Sequence, residues 1–313
     1  MPLKRLSAAF AARSSPTRAA LWMIVAAAFF AAMSALIRKL SEDLHALEIV
    51  FFRNLAGFAF MVPWLVRTGL RGLRTDNTRL YLGRSLIGLL SMFAWFTALT
   101  MMPLAEATAL AFTAPLFATV AAVLILGETV RARRWSATIV GFIGAMIVLR
   151  PGFGSVGLPE MLVLLSAAIQ GLNIVLVRQL SRVEDPNAVV TYMTLYIIPF
   201  SLVPALFVWT NPPLHTWIWI ALLGLCGTAG HQAFTRAFAI SDASALLAFD
   251  YAKLPIVALI AWLAFGEAPD VWTWIGAAVI VGATVYIARR EAAIARRTAA
   301  KPPAPSAAHA AND

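Results

Sequence analysis

Apolar residues run along this chain in blocks about twenty positions long, separated by short polar joints. A helix needs about 20 predominantly apolar residues to cross the hydrocarbon core of a bilayer. Blocks of that order fall near 19–37, 46–66, 80–102, 104–126, 134–150, 158–177, 187–208, 215–239, 243–265 and 271–288. Strand-like alternation of single apolar and polar positions, the mark of a membrane barrel, is missing. The pattern therefore predicts an all-α integral membrane protein with ten transmembrane helices. The first block, LWMIVAAAFFAAMSA after Lys4 and Arg5, imitates a signal peptide with a small-residue cleavage site. Its near-spanning length and the Arg38-Lys39 pair that follows favour a retained first helix. Residues 1–18 read as an N-terminal tail, and 290–313, basic and rich in Pro and Ala, as a disordered one.

Composition agrees with the pattern. The 313 residues are 61% hydrophobic and 13% charged, and mean hydropathy is +0.79, against about 25% charged in soluble domains. Intrinsic disorder, a disulfide scaffold and a freestanding soluble enzyme are excluded as leading readings. Lys+Arg 25 against Asp+Glu 15 gives +10, a balance that in a soluble protein would suggest nucleic acid. Here the basic residues gather in the joints, so they report orientation instead. With both termini cytoplasmic, that side collects twenty of them, Arg79, Arg84, Arg131 and Arg289 among them, and the other receives Arg38, Lys39 and Arg150. The lone Cys226 has no partner in the chain.

The chain also repeats itself. FTALTMMPLAEATALAFTAPLFATVAAVLILGETVRARRW, from Phe96, has a counterpart in FTRAFAISDASALLAFDYAKLPIVALIAWLAFGEAPDVWTW, from Phe234. Gly127-Glu128 and Trp135 recur 139 positions later as Gly266-Glu267 and Trp274, and Pro115 recurs as Pro255. Two five-helix halves result, 19–150 and 158–289, joined by 151–157. Five is odd, so the second half must enter the membrane in the opposite sense. Inverted repeats of this kind build alternating-access carriers with a site near the midplane.

The paired PLAEATALAFTAPLFA…LGE and SDASALLAFDYAKLPIVA…FGE segments, RNLAGF in the second block and the five-plus-five layout resemble the drug/metabolite transporter superfamily, in particular its EamA-domain members. The resemblance covers nearly everything from Ala19 to Arg289. It implies a secondary carrier, exporter or importer, of a small organic metabolite such as an amino-acid-like, vitamin or metallophore compound, working in the inner membrane of a bacterium. A proton is the candidate coupling ion, and no cofactor is implied. No GxxxxGK[ST] segment for ATP occurs.

The candidate site comes from polar groups inside spans, which are costly there and suggest function. Arg53 lies in the second block, with Glu48 five residues earlier and poorly aligned for a direct bond. Asp250 and Lys253 in the ninth are three apart, on one helical face, where they can pair. They either neutralise one another or leave Lys253, with Arg53, for an anionic substrate group. Ser166, Gln170 and Asn173 form one stripe on the sixth helix, and Thr228, His231, Gln232 and Thr235 crowd the eighth. These stripes either line a water-filled cavity or bond helix to helix. Trp95, Phe96, Phe112 and Tyr251 either wall that cavity for a ring-bearing substrate or simply pack. The substrate-binding candidates are thus Arg53, Trp95, Gln170, Asn173, His231, Gln232, Asp250, Tyr251 and Lys253.

Other motifs fail on context. Gly152, Gly154 and Gly157 satisfy G-x-G-x-x-G with no strand before them. His45 and Glu48 are two ligands at most, too few for a metal. Gly83, Gly88, Gly141 and Gly144 suit close helix contact. Trp209, Trp217, Trp219, Trp272 and Trp274 sit near span ends, as in an interfacial belt. The alternative from another class is an intramembrane enzyme acting on lipid-linked substrates, which would need a clustered nucleophile, base or metal site where the sequence has only scattered His and acidic residues.

Overall fold

The polar joints hold residues that satisfy the free N–H groups of the helices they precede. His45 Nδ1 accepts from the Leu47 N–H at 3.2 Å while the Glu48 carboxylate accepts from the His45 N–H at 3.0 Å. The His45–Glu48 spacing is thus a capping box, worth about 1 kcal/mol to the helix start, and not a metal site. Asp185 does the same work ahead of Pro186, accepting from the Asn187 N–H at 2.7 Å.

The computed structural model describes residues 15–69, 75–118, 120, 132–149, 157–240 and 249–299. Ten helices lie within them: α1 Ser15–Leu40, α2 Ala46–Thr68, α3 Thr78–Met101, α4 Leu104–Ala111, α5 Ala132–Leu149, α6 Leu158–Val183, α7 Pro186–Leu206, α8 Thr216–Ile240, α9 Lys253–Phe265 and α10 Val271–Ala299. No strand occurs among the described residues. By length and composition α1, α2, α3 and α7 can each cross a membrane, and shorter apolar stretches mark α4, α5, α6, α9 and α10. In α8 the run Thr228, His231, Gln232, Thr235, Arg236 dilutes the apolar character. Leu90, Ile139, Leu165, Val203 and Leu263 point outward, more than half exposed, as helices solvated by lipid rather than water require.

Packing follows the same pattern in both halves. α1 lies along α8 and α3 along α6, α5 pairs with α10, α2 touches α7, and α4 touches α9. Close approach is made by small residues: a Cβ on Gly276 of α10 would stand 2.7 Å from the Gly144 carbonyl oxygen of α5, and one on Gly171 of α6 2.7 Å from the Ala114 carbonyl oxygen. Gly83 departs from expectation, because it faces open space, and Gly88 meets only Asn173 Nδ2 at 3.7 Å.

Proline explains the shape of α4 and its counterpart. A proline inside a helix clashes with the carbonyl four residues back. Pro115 aims at Ala111, where α4 ends, and a turn at Phe112-Thr113 leads into a short helical piece, 114–118. Pro255 aims at Tyr251, and a turn at Tyr251-Ala252 precedes α9. The expectation that Asp250 and Lys253 share a continuous helical face is therefore corrected: the turn lies between them.

Polar contacts fasten the two ends of the bundle. At one end Arg38 of α1 reaches Glu267, Nη2 to Oε1 at 3.3 Å, and donates to the Leu99 and Met102 carbonyls. Glu267 also accepts from the Leu104 N–H at 3.0 Å, closing the α4 N-terminus where a negative charge is favoured. Gly266, at φ 69°, ends α9 and turns the chain so that Glu267 can do this. At the same end the Thr210 N–H donates to Glu48 at 2.7 Å and the Thr216 hydroxyl to Asp43 at 2.7 Å. At the opposite end the Thr75 hydroxyl and Asn77 Nδ2 donate to Glu184 at 2.6 and 2.8 Å.

One boundary differs from expectation. α10 runs on to Ala299, so the start of the tail read as disordered is helical. Its residues EAAIARRTAA are nearly all strong helix formers, and no proline intervenes before Pro302. Gly127-Glu128, the first part of the ninth block and most of the 151–157 joint lie outside the described residues.

Candidate functional site

A cavity lies between the halves, lined by α1, α3, α4, α6, α7, α8 and the turn before α9. Except for Met193 of α7, the helices that line it are repeat counterparts: α1 and α6, α3 and α8, α4 and α9. Its empty volume, open mouth included, is about 1210 Å³.

Aromatic rings form much of the wall. Phe112 and Tyr251, the two residues at the helix breaks, meet edge to face at 4.8 Å between ring centroids. The Lys253 ammonium stands 5.5 Å from the centroid of the Trp95 ring, within cation–π range. Phe96 and Phe234, equivalent in the repeat, both line the cavity, and Phe30 meets His231 edge-on at 5.1 Å.

Polar groups break the apolar lining at few places. Asn173 Nδ2 donates to Gln170 Oε1 at 3.1 Å, but Asn173 Oδ1 and His231 Nδ1 are buried with no hydrogen-bond partner among the described residues. Asp250 is the single carboxylate among the described lining residues. No direct ion pair joins it to Lys253 among the described residues, although the two lie close enough to interact electrostatically across the turn at 251–252.

Of the nine sequence candidates, Trp95, Gln170, Asn173, His231, Asp250, Tyr251 and Lys253 line this one cavity. Arg53 and Gln232 do not. Arg53 is fully buried behind the wall, donating from Nη1 to Asn54 Oδ1 at 2.8 Å. It fits there only because residue 227 is glycine, since a Cβ at that position would lie 2.5 Å from Arg53 Nε. Gln232 donates to Met61 Sδ. Several other polar residues bond helix to helix. Ser166 and Ser91 exchange hydrogen bonds between α6 and α3, and the Thr228 hydroxyl donates to the Gly57 carbonyl of α2 at 3.1 Å.

One residue was misplaced by charge alone. Arg84, assigned to the cytoplasmic side, is 2% exposed in α3 and lines the cavity. The signal for it was periodicity: Arg84, Gly88, Ser91 and Trp95 fall on one helical face.

These features define a membrane protein of two like halves around a shared cavity. The EamA-like transporter family matches residues 17–150 and again 157–289, five described helices in each. The chain belongs to this family. It is 34% identical over 282 residues to a riboflavin transporter of Rhizobium johnstonii, covering 88% of this chain and 93% of that one. An S-adenosylmethionine uptake transporter of Rickettsia bellii is 30% identical over 267 residues, covering 85% and 91%. A solved structure matches with TM-score 0.62 at 20% identity, over 89% of this chain and 99% of the other, which shows the fold alone. Relatives and family are transporters, so the protein is a transporter of small molecules; the enzyme alternative has no support.

Proposed function

We propose that the protein carries a small organic metabolite with a fused heteroaromatic ring, of the riboflavin kind, across the bacterial inner membrane. Ten helices in two inverted five-helix halves rock about the cavity, both termini are cytoplasmic, and a proton is the coupling ion. The observation that carries this reading is the chemistry of the cavity wall. Trp95, Phe112 and Tyr251 offer ring faces and edges for stacking, while Asn173 and His231 hold unmet hydrogen-bonding atoms that a ligand would satisfy. Riboflavin and S-adenosylmethionine, named for the two relatives, share a fused nitrogen ring. Asp250, alone among the described lining residues as a carboxylate, is the proton-bearing group in this proposal.

Purified protein in proteoliposomes tests it with a panel of riboflavin, S-adenosylmethionine and an aliphatic amino acid. Saturable uptake of a ring-bearing member is expected, accelerated by an imposed pH gradient, and Asp250→Asn should remove the gradient's effect. Transport of the aliphatic member alone, or none, would refute the ring reading.

A further inference from the structure

We infer that the transported molecule carries an oxyanion tethered at a distance from its ring, and that Arg84 binds that oxyanion; this rests on the proposed role of the cavity as the transport site. Arg84 is 2% exposed and lines the cavity. Its Nε and Nη1 are buried with no partner, and no hydrogen bond or ion pair reaches it among the described residues. A guanidinium has five donors arranged to grip a carboxylate or phosphate through two oxygens, and leaving it unpaired away from water is costly. Space for a ligand exists beside it: one turn along α3 is Gly88, where even an added Cβ would meet only Asn173 Nδ2.

The cavity lining does not supply the missing charge; outside it Arg84 interacts with the Tyr81 phenol one turn back on α3, which lies beside Glu184. Arg53, behind the wall, has Nε and Nη2 without hydrogen-bond partners among the described residues as well, and Arg53, Arg84 and His231 lie close enough to interact electrostatically. Lys253 rests over Trp95. Against Arg53, Arg84 and Lys253 the described lining offers one carboxylate, Asp250, and that one interacts electrostatically with Lys253. The protein alone leaves positive charge in excess here, and an anionic ligand would balance it.

Helix geometry then sets the shape of that ligand. Arg84 and Trp95 are eleven residues apart on the same face of α3, about 16 Å along the axis at 1.5 Å per residue. A ring held by Trp95, Phe112 and Tyr251 therefore reaches Arg84 only through an extended polar chain. The class is a fused ring, a chain of several atoms, and a terminal phosphate or carboxylate.

Two matched pairs test this by calorimetry on the full chain in nanodiscs: riboflavin 5′-phosphate against riboflavin, and S-adenosylhomocysteine against 5′-methylthioadenosine. Each pair keeps its ring; the first differs by the phosphate alone, and the second by an amino-acid end whose carboxylate comes with an ammonium. In at least one pair the oxyanion-bearing member should bind about tenfold tighter or more, the scale of one charged hydrogen bond. Arg84→Gln should abolish that difference while the neutral partner keeps its affinity. The phosphate pair and the carboxylate pair distinguish the two oxyanions. Equal affinities within both pairs, or a difference that survives Arg84→Gln, would overturn the inference while leaving ring transport intact. Failure of every compound to bind would count against the ring reading instead, and melting then decides on Arg84. Arg84→Gln should raise the Tm of ligand-free protein by removing an unpaired buried charge, and inorganic phosphate should raise the Tm of wild type but not of the variant. A lower Tm for Arg84→Gln marks a structural cation and overturns the inference whatever binds.

Discussion

Lys253 and Asp250 show how three residues of sequence can mean two different things. On a continuous helix they would be one face and one ion pair; with the turn at Tyr251-Ala252 between them, Lys253 sits over Trp95 and Asp250 faces the cavity. If they were a self-neutralising pair, replacing both would rescue the defect of replacing either, because each single change strands a charge. We expect no rescue. Asp250→Asn, Lys253→Gln and the double variant should each lower uptake in proteoliposomes by about tenfold or more, on the scale of a lost charged contact, at matched membrane levels. Recovery in the double variant would assign the two residues a structural role. Seven of the nine residues legible as site candidates line the cavity, because polar groups in an apolar run have few other places to go. Arg53 and Gln232 were equally polar and equally central in sequence, yet their helix rotation and the notch at Gly227 turn them away from it. Arg84 shows the opposite error: five residues from Arg79 and near the start of its block, it counts with the cytoplasmic charges that report orientation, although it is buried inside α3.

Among the elements, α4 and α9 carry the most information per residue. Their prolines dictate where each breaks, and the Phe112–Tyr251 contact brings the two breaks together on the cavity wall. The other helices are set by how closely they approach, and glycine decides that pair by pair. Gly276→Ala puts a Cβ against Val148 Cγ2 and the Gly144 carbonyl oxygen, which backbone cannot yield cheaply. A cost of about 1–3 kcal/mol is expected from such overpacking, read as a lower Tm in detergent. Gly83→Ala enters open space and gains helix propensity worth about 0.5–1 kcal/mol, so its Tm should hold or rise. Equal effects of the two would mean that the α5–α10 contact is not tight. Both glycines lie in apolar runs, and nothing in the sequence distinguishes them, because contact depends on which face the partner helix takes.

For the whole molecule the test is sidedness. Thr75 lies at the end fastened by Glu184, and Thr210 at the end fastened by Glu48 and by the Arg38–Glu267 contact. Single cysteines, Thr75→Cys and Thr210→Cys in a Cys226→Ser background, should label from opposite faces of the membrane, position 75 from the cytoplasm. Labelling of both from one face would defeat the proposed topology. Counting Arg84 as interior removes one charge from the cytoplasmic total and leaves the asymmetry of Lys and Arg standing.

The sequence by itself determined the solvent, the helices and the duplication. Apolar length, caps such as His45 and Asp185, and prolines act within a few residues of where they stand, so their consequences can be read in one dimension. It also pointed to most of the cavity, since burial of a polar group within an apolar run is already a statement about location. Only the tertiary structure decided which polar residues face the cavity, which bond helix to helix, and that Glu267 closes α4 while holding Arg38. Those outcomes depend on rotation and distance between segments more than 70 residues apart, where a difference of one helical position moves a side chain by about 100° and turns a ligand group into a buried strut.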